Sequence, residues 1–220
     1  MSSVETLPRR RSPRLLGTGI AILILIMLGF TVKRLVIDLP NIAAGTLPDN
    51  AYDTRFVRHP WLTYLHIAPG VLYVVGATLQ LAYWFRSRHY TVHRRMGRIL
   101  LVSGLLTGVT AVVIGMWFPF GGLVEASAVV IFSIWFLVCL VLAFRAIRAD
   151  DMVHHRRWMI RAFAIGIAVG TTRIWLALFL VTGLLDFRGA LVRRFGSPSA
   201  LHALIAELWL RARPSPPEGP

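Results

Sequence analysis

The residues best placed to do chemistry in this chain are two histidines beside arginines: His93 in "VHRRMGRI" and His155 in "HHRRWMIRAF". Imidazole is the usual side chain for holding iron, other transition metals or a proton. On a helix starting at His93, the residues within about 60° are Gly97, Gly104, Gly108, Ala111 and Gly115. The same construction from His155 gives Met159, Ala162, Gly166, Gly170 and Arg173. Each helix thus presents a histidine and then a furrow with few bulky side chains. A flat macrocycle between two helices needs that arrangement. His93 and His155 are therefore candidate axial ligands of a b-type haem, with Gly97, Gly104, Gly108, Gly166 and Gly170 lining its slot. Arg98 and Arg161 would neutralise propionates, or a quinone headgroup. The same glycines support a second reading. "GLLTG" (104–108) and "GIAVG" (166–170) are small-xxx-small patterns that let helix backbones approach closely in lipid. Both readings stand at this level.

A second set of polar groups is expected towards the opposite end. His66 lies one and a half turns into an apolar segment, and Arg173 lies deep within another. A charge at membrane depth costs about 2.5–3.5 kcal/mol on insertion scales, so Arg173 needs a partner. Glu125 and Glu207 are the candidates, the latter only if the tail folds back. An ion pair that pins helices and a ligand site are equal readings of this outer group.

Other chemistries lack their signatures in the sequence. There is no phosphate-binding glycine loop in a strand–helix context, no CxxC pair, no HExxH motif and no nucleophile elbow. Cys139 is the sole cysteine, so no disulfide forms within one chain.

The elements that must carry these groups are membrane helices. The 220 residues are 56% hydrophobic and 15% charged, too apolar for a soluble domain. Five windows suit a hydrocarbon core of about 30 Å: 15–32, 61–85, 99–118, 126–144 and 162–185. The net charge of +14 is explained by its distribution and does not call for nucleic acid. Fourteen of the 24 basic residues fall before the first window or in the loops after the second and fourth. By the positive-inside rule this puts the N-terminus in the cytoplasm of a plasma (inner) membrane protein, and the tail outside.

The expected fold class is all-α: a polytopic bundle of five transmembrane helices, with spans 2 to 5 antiparallel, plus a C-terminal amphipathic or re-entrant helix. The expected divisions are a basic leader (1–14), a first span (15–37), an external loop (38–60), a four-helix bundle (61–185), a tail with its helix (186–213) and a disordered end (214–220). In the tail, Ser197 suits a cap and Pro198 a first helical position. Some 15 residues from there cover only about 22 Å, short for a crossing. His93 precedes the apolar start of its span by six residues, so a group held there sits at the lip of the bundle.

"HIAPGVLYVVGATLQ" (66–80), "VHRRMGRI" (92–99), "HRRWMIRAFAIGIAVGTTRIWL" (155–176) and "AELWL" (206–210) occur in that order. Together they resemble domain of unknown function 2306, an uncharacterised family of predicted bacterial membrane proteins. The resemblance covers roughly residues 59–210. It implies that His66, Gln80, His93, Gly97, Arg98, His155, Trp158, Met159, Arg161, Arg173 and Glu207 are its motif positions here. It implies a membrane bundle, not an activity. In outline the pattern is also similar to transmembrane b-type cytochromes, although the fourth span has no histidine. The functional expectations are a b-type haem or quinone-linked electron-transfer protein, or else a non-enzymatic protein that binds or carries a small anion or anionic lipid. In either case the bilayer is the first partner.

Overall fold

The computed structural model of the protein describes residues 13–119, 122–182 and 187–212. Its elements there are all helices. They are α1 (Pro13–Ala44), α2 (Ala51–Arg58), α3 (Pro60–Leu81), α4 (Tyr83–Arg88), α5 (Tyr90–Trp117), α6 (Gly122–Arg148), α7 (Met152–Thr182) and α8 (Phe187–Arg211). Local sequence sets most of these limits. Pro60 sits in the first turn of α3, where its missing N–H is no loss. Gly45 ends α1 and Gly122 opens α6, both at positive φ, which glycine adopts without strain. Between α6 and α7, Asp150 takes φ 57° and Asp151 caps α7, its Oδ1 accepting the N–H of His154 at 2.9 Å.

Among the described residues, four helices are long and apolar enough to cross a membrane: α1 from Leu15, α3, α5 and α6. The expectation of helical spans is met; the count of five is not fixed by length and composition.

α3, α5, α6 and α7 form a ring in that order, each packed on the next and α7 closing onto α3. α5 and α7 stand diagonally, with no backbone contact between them. α1 leans on α7 and α3 from outside, and α8 lies along α7 and α6. The centre is filled by Tyr73, Ala77, Phe136, Cys139, Leu140 and Ala162.

Three boundaries differ from the sequence reading. α1 continues to Ala44 through Pro40, and α2 occupies much of the expected external loop. α8 begins at Phe187, ten residues before Ser197, and Pro198 lies inside it. At 25 residues it covers about 37 Å. The shortness that argued for an interfacial tail helix therefore does not apply. The disordered end proposed for residues 214–220 lies outside the described residues, as does most of the leader.

Candidate functional site

The two ends of the ring are chemically different. At one end Arg86, Arg88, Arg94, Arg95, Arg98, Arg145, Arg148, Arg156 and Arg157 gather around the starts of α5 and α7 and the end of α6. At the other end, α2 sits beside α1 and α3.

Gly104 of α5 and Gly166 of α7 face a common space, and Tyr73 of α3 occupies it. A Cβ on Gly104 would come within 2.8 Å of Leu140 Cδ1 and 2.9 Å of Tyr73 Cδ2; one on Gly166 would meet Tyr73 Cε1 at 3.2 Å. Tyr73 is 1% exposed and meets Phe136 edge-on, with ring centroids 5.1 Å apart. Gly108 is backed by Leu137, with Cδ2 at 2.6 Å, and Gly170 by the backbone oxygen of Leu23 on α1 at 2.7 Å. These four glycines are packing positions, which corrects the expectation of a vacant slot at mid-depth. The wheel gave each furrow its direction but not the ring that fills it. Gly97 is different: a Cβ there meets nothing within 4 Å.

Helix α5 begins at Tyr90 and α7 at Met152, so His93 and His155 are each the fourth residue of a diagonal helix. His155 Nδ1–H donates to the carbonyl of Ala143 on α6 at 2.9 Å. The acceptor is a carbonyl, so the neutral ring carries its lone pair on Nε2. His93 Nδ1 is buried without a hydrogen-bond partner, and His93 and His155 lie within electrostatic range of each other. Arg98 is exposed. Arg161 is turned away from this pair: Nε and Nη2 grip both carboxylate oxygens of Glu207, and its guanidinium lies 4.5 Å from the Trp158 ring.

That contact relocates Glu207. α8 runs back antiparallel along α7, with His202 Nε2 and Thr171 Oγ1 2.8 Å apart and Glu207 on Arg161 nearer the start of α7. Glu207 therefore belongs to the arginine-rich end and not to the outer group. The tail was expected to end on the opposite side; the end of α8 lies beside the start of α7. The side chain of Arg173 lies outside the described residues.

The remaining outer residues do come together. His66 and Glu125 line a cavity of ≈ 270 Å³ between α1, α3, α5, α6 and α7. Glu125 is 3% exposed. His66 Nδ1 is 3.2 Å from both the Thr107 carbonyl, to which it donates, and Thr110 Oγ1. Two arginines that the sequence analysis did not single out join them. Arg34 pairs with Asp38 at 3.0 Å and donates to Asp53 at 2.9 Å, and Tyr64 OH donates to Asp38 at 3.4 Å. Arg55 donates to the Phe118 carbonyl at 3.1 Å, and both guanidinium groups lie against the Phe56 ring of α2, at 4.4 and 4.8 Å. The Arg34–Asp38 spacing of four was a legible signal on a helix. The floor of the cavity is apolar, with Tyr73, Val74, Phe136 and Ile165.

With this geometry in hand, the comparison with known families is decisive on kinship. A model described as "Predicted membrane protein (DUF2306)" matches residues 63–210. The chain belongs to the DUF2306 family. The matched DUF2306 region runs from the second residue after Trp61 to the last turn of α8, so it includes the ring and α8 but excludes α1 and α2. The cavity is thus completed by two helices outside the family region. No curated protein and no solved structure matches the chain.

Proposed function

We propose that this protein binds a membrane-soluble amphiphile in the cavity between α1, α3, α5, α6 and α7. The observation that carries this reading is the cavity itself: ≈ 270 Å³, apolar at its floor, with Arg34, Arg55, His66 and Glu125 at the α2 end. An apolar pocket with a few convergent polar groups is the common form of a small-molecule site. Among the described residues the polar end holds three carboxylates, Asp38, Asp53 and Glu125, against two guanidinium groups, Arg34 and Arg55, a formal excess of one negative charge. A network with no net positive charge favours an uncharged, oxygen-bearing head on an apolar body, as in an isoprenoid quinone, over a free anion. The anion reading leaned on Arg173.

The test is binding in nanodiscs with a short-chain quinone as probe. Wild-type protein is expected to bind it saturably, while Ala111→Trp, which places an indole in the cavity, removes binding without loss of monodispersity. Equal binding by both proteins rejects the reading.

An electron-transfer role is a second reading. One observation favours it: the Nδ1–H of His155 is fixed on a carbonyl, which leaves Nε2 as the coordinating nitrogen. The filled centre of the ring confines any such group to the arginine-rich mouth.

A further inference from the structure

At that mouth three polar groups lie on the inward side of the Tyr73 ring. His155 presents Nε2, because Nδ1 is committed to Ala143. His93 Nδ1 has no accessible surface and no hydrogen-bond partner. Gln80, 8% exposed, likewise has a buried Oε1 without a partner. The register of α3 against α5 puts these groups in neighbouring layers. Gly70 faces Thr107, Tyr73 faces Gly104 and Gly76 faces Leu100. Continued one turn, it carries Gln80 to Gly97, which is one turn inward from His93. Gly97 is the glycine of the stripe beside which there is open space.

Buried polar atoms are nearly always paired, so two without partners in adjacent layers call for a bound group. An imidazole whose other ring nitrogen is held by a backbone carbonyl has the arrangement of a metal ligand. Ala143, whose carbonyl holds His155, is fully buried, and Leu100 fills the neighbouring layer against Gly76.

We propose that His93 and His155 are the two imidazole ligands of a transition-metal centre at the arginine-rich mouth, with Gln80 hydrogen-bonding to a group on that metal. The metal is of the class imidazole prefers: iron, copper or zinc. It could arrive as haem iron, whose propionates would meet the surrounding guanidinium groups, or as a free ion. This inference is independent of the amphiphile cavity, which lies beyond Tyr73.

The experiment uses the full chain, purified in detergent on an affinity tag without histidine. Metal content is measured by mass spectrometry and the visible spectrum is recorded before and after dithionite. Samples are taken as purified and after separate incubation with haemin, Cu²⁺ and Zn²⁺. The expected result is about one metal per chain. A Soret band identifies haem iron, and metal without that band identifies a free ion; either outcome supports the site. His93→Ala removes no hydrogen bond, so that variant should remain folded and monodisperse while its metal occupancy falls about tenfold or more. His155→Ala should do the same. Wild-type protein that takes up none of the three, or both variants retaining full occupancy, overturns the proposal. Quinone binding in the His93→Ala variant separates the two sites: it persists if the cavity reading holds, whatever the fate of the metal.

Discussion

Arg161 of α7 holds both carboxylate oxygens of Glu207 on α8, with Nη2 3.0 Å from Oε2 and the guanidinium 4.5 Å from the Trp158 ring. Two parallel N–H···O bonds fix direction as well as distance. The pair therefore registers α8 along α7. Glu207 is about a third exposed, so water weakens the Coulomb term. A double-mutant cycle of Arg161→Ala and Glu207→Ala should give a coupling of about 1 kcal/mol, read from unfolding in mixed detergent. Coupling near zero would mean that α8 is held by apolar packing alone.

The antiparallel course of α8 predicts which residues share a side of the membrane. Cys139 is fully buried, so single engineered cysteines can be read against a quiet background. Arg211→Cys and Arg148→Cys should react with an impermeant maleimide from the same side, and Asp49→Cys from the other. Arg211→Cys labelled together with Asp49→Cys would show that α8 does not cross.

The sequence made some of this legible and left other parts hidden, for physical reasons. Apolar windows overlap every helix of the ring, and among the described residues α3, α5 and α6 are long and apolar enough to cross a membrane. Of the glycine stripes on α5 and α7, only Gly104 and Gly166 share an interior neighbour, Tyr73, while Gly108 faces α6 and Gly170 faces α1. Their contents stayed hidden: a helical wheel gives a face but not its neighbour, and Tyr73 comes from a third helix. α8 was read too short because Ser197 and Pro198 read as a cap and a first helical position. The helix runs through both, packed along α7. The outer group was half visible. His66 stood out by depth and Glu125 as a candidate partner for Arg173, while Arg55 was hidden in a segment that reads as a loop.

Tyr73 fills the centre but its hydroxyl, buried in that packing, has no hydrogen-bond partner. Removing an unpaired buried hydroxyl relieves a cost of about 1–3 kcal/mol. Tyr73→Phe should accordingly be neutral or stabilising. Tyr73→Ala empties the space against Gly104 and Gly166 and should cost about 3–5 kcal/mol. Thermal unfolding of the two variants checks both. A clear loss in Tyr73→Phe would reveal a partner for the hydroxyl.

The cap of α7 gives a pH prediction with a definite sign. The His154 N–H bonded to Asp151, with the His154 ring Nδ1 2.6 Å from the second oxygen, holds that carboxyl below the usual aspartate range. Its stabilisation is therefore complete above the ordinary value of about 3.9 and fades as pH falls through the lowered one. Amide exchange in the first turn of α7, corrected for its intrinsic rate, should lose protection only in that acid window. Asp151→Asn keeps a capping oxygen and should abolish the pH dependence.

One substitution at two glycines separates packing from vacancy. At Gly170 a methyl group would lie 2.7 Å from the backbone oxygen of Leu23, and backbone cannot rotate aside. Gly170→Ala must push α1 off α7, at a cost of about 1–3 kcal/mol typical of overpacking. At Gly97 the same methyl meets nothing within 4 Å. There the helix gains about 1 kcal/mol from losing a glycine, so Gly97→Ala should raise the unfolding midpoint of metal-free protein. A bound group beside His93 would reverse that gain, because the added methyl would crowd it. The midpoint of Gly97→Ala relative to wild type, with and without metal, therefore reads directly whether the space beside that glycine is used.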